Sequence, residues 1–322
     1  MSVAAESVRR VVFHADDFGM NDDVNQGILV SFRDGLLTST SLLANAPAAE
    51  SACREWPGLI ADLQSVKLPS HQTRRELGDA SQPFDLGIHL NLTQGRPLTG
   101  DQYPAALLDE NGDFPGVGKL FSRLSRSRLE QRSLVEAELR AQIEWMCDRG
   151  LRPTHLNGHQ YVELIPAVAP LIPELLQRYS IPVVRVASES GLVRNVLMQG
   201  RTAAWGLAVV KRYFAHGLRR RLRSTKTASP DRFFGTAHAG RIDLPTLSRF
   251  LHLAAPAGCT EIGVHPGSDS GEGGATAGDA WFDPLRKQRS AERDWLCCAG
   301  LRDLLFHRRL HLGRLQLLRG AG

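Results

Sequence analysis

Two adjacent aspartates, Asp16 and Asp17, close the apolar run Val11-Val12-Phe13-His14-Ala15 and are followed by Phe18-Gly19. An apolar strand ending in two carboxylates and a glycine turn places proton-transfer or metal-binding groups at the carboxyl end of a buried strand, where parallel sheets carry their sites. Neighbouring side chains on a strand point to opposite faces. The pair is therefore expected to divide its work, one carboxylate binding a metal and the other taking a proton. Histidines stand in comparable places. His89 lies inside Phe84-Asp85-Leu86-Gly87-Ile88-His89-Leu90-Asn91-Leu92-Thr93, and His155 and His159 lie in Pro153-Thr154-His155-Leu156-Asn157-Gly158-His159-Gln160-Tyr161. His265 sits where Glu261-Ile262-Gly263-Val264 gives way to Pro266-Gly267. Two histidines and a carboxylate at strand ends have the composition of a metal site that leaves positions open for water and substrate.

The elements that must position these groups alternate between strand and helix. Asn21 caps a helix with Asp22 and Asp23 in its first turn and Val24, Ile28 and Phe32 on one face, ended by Gly35. Residues 36–43 read as a second strand with a Ser/Thr-rich middle, and Pro47 opens a short helix. Residues 64–82, with His71, read as a polar surface loop, and the long connection 93–117 has the length of a lid. Residues 129–149 form an amphipathic helix through Val135, Leu139, Ile143 and Met146. Strands follow over 182–186, near Phe233 and over 260–264. The Gly/Ala/Asp-rich stretch 267–279 reads as a mobile loop beside His265. Such alternation argues for a parallel sheet or barrel.

Five motifs occur here in the order and spacing of the YdjC-like carbohydrate deacetylases, which include the ChbG and HpnK types. They are Ala15-Asp16-Asp17-Phe18-Gly19, Thr38-Ser39-Thr40-Ser41, Gly87-Ile88-His89-Leu90-Asn91-Leu92-Thr93-Gln94-Gly95-Arg96-Pro97-Leu98, Pro153-Thr154-His155-Leu156-Asn157-Gly158-His159 and Val264-His265-Pro266. The chain resembles that family from about Val11 to His265, and Leu310-His311-Leu312-Gly313-Arg314-Leu315 is similar to its last strand. The resemblance implies an α/β fold, a distorted (β/α) TIM-like barrel forming one domain over residues 1–322. It also implies that one divalent ion, zinc or magnesium, helps remove acetyl groups from N-acetylated sugars. On the same basis Asp17, His89 and His159 are the metal ligands, Asp16 the general base and His265 the general acid. Arg185, Asn91 and Tyr161 stand where substrate contacts are expected. The chain departs from the family pattern at Asn157, where an aspartate is usual, and at Tyr161 and Glu163, where histidines are usual; the surroundings of the metal and the substrate are expected to differ accordingly.

The chemistry asks for these residue types. An amide is a poor electrophile and water a poor nucleophile, and a divalent metal improves both. A positioned base and acid each contribute roughly a hundredfold to ten-thousandfold. A purely structural metal site would have no use for Asp16 or His265. Two other readings stay open: a deformylase or ester hydrolase on the same barrel, and a metal-containing binding module without turnover.

Composition is that of an ordinary globular protein: 322 residues, 42% hydrophobic and 23% charged. Five cysteines without a CxxC pair fit reduced thiols. The first ten residues lack an apolar signal core, so the expected location is cytoplasmic. Net charge is +5, yet residues 201–226 hold eight basic residues and no acidic one, which leaves the rest near −3. This basic insertion, at about 195–230 and densest at Arg219, Arg220, Arg221 and Arg223, is either a solvated helix face or a surface that meets anionic phosphates, those of a membrane it contacts peripherally or of a phosphate-bearing glycolipid. No nucleic-acid module surrounds it. An acetylated sugar or glycolipid is the expected partner, and the resemblance allows a homodimer.

Overall fold

The computed structural model describes residues 8–65, 84–188, 202–269 and 281–320. Among them are eight parallel strands: β1 (Arg9–Phe18), β2 (Ser39–Leu42), β3 (Asp85–Leu90), β4 (His155–Gly158), β5 (Val183–Val184), β6 (Arg232–Phe234), β7 (Gly258–Val264) and β8 (His311–Leu312). The helices used below are α1 (Asp22–Arg33), α2 (Ala49–Ser65), α3 (Val117–Ser125), α4 (Leu129–Asp148), α5 (Ile172–Arg178), α6 (Thr202–Leu222), α7 (Leu244–His252), α8 (Arg286–Leu296) and α9 (Ala299–His307). The strand order is β5-β4-β3-β2-β1-β7-β6, with β8 paired to the start of β1. The sheet curls until β5 reaches the segment before β6, where Val184 N donates to Ala228 O (3.0 Å) and Ala228 N to Pro182 O (2.9 Å). The result is the expected distorted (β/α) barrel, narrowly closed between β5 and β6.

The sequence explains the strands that matter for the site. From Val11 to Phe18, β1 is buried on both faces, as a central parallel strand must be, and a continuous apolar run serves this better than alternation. The polar strand β2 is equally buried because its hydroxyls are satisfied. Ser39 and Ser41 meet the His14 ring at 2.8 and 3.1 Å, and Thr40 Oγ1 donates to Ala15 O at 2.9 Å. Asn21 caps α1 as expected, its Oδ1 accepting from Val24 N. Since every strand runs the same way, the ends of β1, β3, β4 and β7 share one rim.

Some expectations change. The helix opened by Pro47 is not short; α2 runs for 17 residues with Pro57 inside it. The 93–117 connection is pinned at its start to α4, where the buried Glu138 carboxylate accepts from Leu98 N, Thr99 N and Thr99 Oγ1. The basic stretch forms α6, on the connection between β5 and β6 where a crossover helix belongs; residues 195–201 lie outside the described residues. So do all but the first two residues of the 64–82 loop, His71 included, and the 267–279 loop from residue 270 onward. Among the described residues no helix is long and apolar enough to cross a membrane.

Candidate active site

Asp16 and Asp17 line one pocket of about 330 Å³. The expectation that they face opposite sides is corrected by the backbone. The β1–β2 register shifts between Ala15 and Phe18, and Asp17 adopts a left-handed φ of 71°. A bulge of this kind re-aims a side chain, so consecutive carboxylates converge. Aspartate tolerates the left-handed region better than most residues, at a cost on the order of 1 kcal/mol. The following turn is fixed by Gly19, whose N–H donates to Asn25 Oδ1 at 2.7 Å, and by Met20 N donating to Asp17 O at 3.0 Å.

Asp17, His89 and His159 bring one donor atom each to within 4.8 Å of one another, all three buried. Asp17 Oδ1 lies 3.0 Å from His159 Nδ1 and 3.5 Å from His89 Nε2. Each ring is oriented through its other nitrogen. His89 Nδ1 meets Asn157 Oδ1 at 2.9 Å, and His159 Nε2 meets Gln94 Oε1 at 3.1 Å. With Nδ1 donating to Asn157, His89 presents a lone pair at Nε2, the arrangement that orients imidazole ligands in metal sites. Two ring nitrogens and one carboxylate oxygen could hold a divalent ion. Burial would raise the Asp17 carboxyl, but Arg289 Nη2, donating at 2.8 Å, together with His159 and His89, holds it well below the usual range.

Asp16 sits in a separate web. Arg185 Nη1 donates to Oδ2 at 2.8 Å, Asn157 Nδ2 donates to Oδ1 at 3.0 Å, and His14 Nε2 lies 3.2 Å from Oδ1. Burial opposes ionisation, yet Arg185, His89 and His14 hold Asp16 well below its usual pKa. His265 Nε2 lies 3.8 Å from Asp16 Oδ2. Its main-chain N–H donates to Glu292 Oε2 at 2.6 Å, and burial lowers its ring pKa against the pull of Asp17 and Asp16. Behind Asp16, Arg185 is anchored by Glu261, to whose Oε1 its Nε donates at 2.7 Å, and by the Phe233 ring 4.8 Å away.

Of the other expected residues, Tyr161 lines the pocket, with Lys211 Nζ 4.0 Å from its ring centroid. Gln160 and Tyr161 both take left-handed φ, 51° and 64°, which turns the chain sharply after His159. Arg185 is buried behind Asp16 rather than on the pocket wall. Asn91 is also off the wall: its Nδ2 donates to Asn45 Oδ1 and Gln94 O, and its Oδ1 accepts from Thr93 N. It thereby fixes the loop that carries Gln94 to His159. Sequence reasoning missed His14, Arg289, Glu261 and Glu292. His14 was readable, since residues two apart share a strand face with Asp16. A wider cleft of about 1090 Å³ at the amino ends of the strands, lined by Arg10, Lys226 and Arg314, holds no comparable donor set among the described residues.

The YdjC-like protein family model matches residues 10–306. The chain belongs to the YdjC-like family. Among relatives, it is 38% identical over 175 residues to a carbohydrate deacetylase of Geobacillus stearothermophilus, covering 54% of this chain and 59% of that protein. It is 29% identical over 282 residues to a carbohydrate deacetylase of Mus musculus, covering 81% and 79%. The match to the bacterial relative thus spans little more than half the length of either protein. A solved structure from Enterococcus faecalis V583, provisionally described as a cellobiose-phosphate cleavage protein, superposes with a TM-score of 0.70 over 97% of this YdjC-like chain and 99% of that one, at 20% identity. That likeness concerns the fold.

Proposed function

We propose that this YdjC-like protein is a metal-dependent hydrolase that removes an N-acetyl group from an N-acetylated sugar or a sugar-bearing glycolipid, the whole chain acting as one domain. The observation that carries the reading is the juxtaposition of two unlike carboxylates. Asp17 faces two imidazoles, whereas Asp16 faces His265, and both pairs open on one pocket. The name shared by the relatives, carbohydrate deacetylase, supports it.

Asp17, His89 and His159 would hold the ion, which supplies polarisation of the amide carbonyl and acidification of water. Asp16, held toward its ionised form by Arg185, takes a proton from water as the water oxygen bonds to the acetyl carbon. Its low pKa makes it a weak base, so it serves to position and relay the proton rather than to extract it from ordinary water. His265, 3.8 Å away, takes that proton on from Asp16 and delivers it to the nitrogen as the carbon–nitrogen bond breaks, which leaves Asp16 ionised again. Acetate and a free amine leave. Asn157 joins the two halves: its oxygen orients His89, and its amide donates to Asp16. Tyr161 supplies an aromatic wall for a sugar ring.

The test is acetate release from a panel of N-acetylated sugars and glycolipids by metal-reconstituted protein. Asp16→Asn is expected to keep its metal and lose at least a hundredfold in turnover, while His89→Ala and His159→Ala lose metal by elemental analysis. Formate or another acid in place of acetate would move the protein to a different hydrolase class. Tight metal with no product from any member of the panel would favour a binding role.

A further inference from the structure

The pocket is bordered by two helices that both expose large apolar side chains. Val117 at the start of α3 and Lys211 in the middle of α6 both line the pocket. The two helices touch through Phe121 and Phe214, whose ring centroids are 6.0 Å apart. In α6 the inward stripe is Ala215, Leu218 and Leu222, all buried. Its outward side carries Val209 (43% exposed), Val210 (48%) and Tyr213 (75%), then Arg219 and Arg220, with the exposed Arg223 just past its end. On α3, Val117 and Phe121 are 39% and 40% exposed, one helical turn apart.

Charge points the same way. Residues 117–128 contain four basic residues and no acidic one, and residues 202–226 contain seven basic and no acidic one. A helix face kept merely for solubility mixes both signs and hides its valines and aromatics. Exposed apolar and aromatic side chains flanked by a single sign of positive charge form the surface that beds into a bilayer interface and pairs with anionic headgroups. A polyanion such as RNA would match the arginines but would give Val209, Val210 and Phe121 nothing to bury against.

We propose that the exposed faces of α3 and α6 dock this protein on an anionic lipid bilayer. The proposal concerns binding and holds whatever the pocket hydrolyses.

The experiment is co-sedimentation of the full chain with vesicles of phosphatidylcholine alone and of phosphatidylcholine with 25% phosphatidylglycerol, at two salt concentrations. Binding to the anionic vesicles only is expected. Each basic contact is worth about fivefold in binding, so the triple variant Arg219→Ser, Arg220→Ser, Arg223→Ser should lose roughly a hundredfold, and the corresponding triple Arg→Lys variant should keep most of it. Tyr213→Asp with Val210→Asp should also release the protein. None of these residues touches the pocket, so thermal stability and turnover of a soluble substrate should stay at the wild-type level. No preference for anionic vesicles would overturn the proposal. So would vesicle binding that ignores Tyr213→Asp, which would mean diffuse charge attraction, or tight RNA binding without vesicle binding.

Discussion

Replacing Glu163 with glutamine should make this protein more stable in alkaline solution and leave it little changed in acid. Glu163 is fully buried four residues after His159, and among the described residues no other residue hydrogen-bonds to either carboxylate oxygen. Burial pushes its pKa from 4.5 up to about 7, against weaker opposition from its own N–H, Arg185 and His89. The sign follows from the direction of the shift. A carboxyl whose folded pKa is raised favours the folded state when protonated, and that advantage is lost as pH climbs from the unfolded value through the folded one. The full effect amounts to about 3 kcal/mol, most of which falls between pH 5 and pH 8. Glutamine cannot ionise, so Glu163→Gln should outlast the wild type at pH 8 by roughly 5 °C in Tm and approach it at pH 5. Asp85 and Glu292 are also pushed up to about 7 by burial; both remain in the variant, so the difference between the two proteins isolates Glu163. Thermal melts of chelator-treated protein at half-unit pH steps would measure it. Parallel curves for the two proteins, or a variant that loses stability at pH 8, would refute the argument, because either would mean that Glu163 is ionised and accommodated in the fold.

Three further substitutions probe the site's supports. Asn157→Ala removes the acceptor that orients His89 and one donor to Asp16, and metal affinity by titration should fall about tenfold to a hundredfold. Asn157→Asp should retain the metal but place a second negative charge against Asp16, raising its pKa, so the acid limb of the rate profile should move to higher pH. Gly27→Ala, on α1, would set a methyl 2.2 Å from the Gly267 main chain. Since Gly267 follows His265 by two residues and neither backbone can yield cheaply, stability should drop by about 1–3 kcal/mol and turnover should fall with metal content unchanged. Melts, elemental analysis and kinetics on one preparation distinguish these outcomes.

How much of this was legible in the sequence depended on how local the cause was. The apolar run of β1 and the Asn21 cap were readable because burial of a central strand and capping of a helix are decided by neighbouring residues. The two-residue strands β5 and β8 offered only the Pro182–Val186 and Leu310–Leu315 stretches, longer than the pairing that forms. The convergence of Asp16 and Asp17 escaped the alternation rule, since one left-handed residue at Asp17 undoes it. Arg289 and Glu292 escaped because α8 reads as a charged surface helix, Arg-Lys-Gln-Arg-Ser-Ala-Glu-Arg-Asp-Trp-Leu. Yet Arg289, Glu292 and the Trp295-Leu296 pair recur at helical spacing and all face inward. The charges on that stripe were the signal, and only their carboxylate and main-chain partners in the fold give it meaning.

Those partners explain how two carboxylates stay ionised while buried side by side. Each belongs to its own chain of opposite charges. Asp283 and Asp17 flank Arg289, with contacts of 2.7 and 2.8 Å, while Glu261 and Asp16 flank Arg185 at nearly the same distances. An isolated buried carboxylate would protonate; a buried arginine shared between two carboxylates instead holds charge in place, provided nearly every group is hydrogen-bonded. Among the described residues the two chains meet through Asn157, His89 and His265, so Asp17 can serve as a ligand while Asp16, anchored by its own arginine, handles a proton. Glu163 lies outside both chains, with no arginine of its own, and that is why its carboxyl, unlike those of Asp16 and Asp17, is driven toward the neutral form.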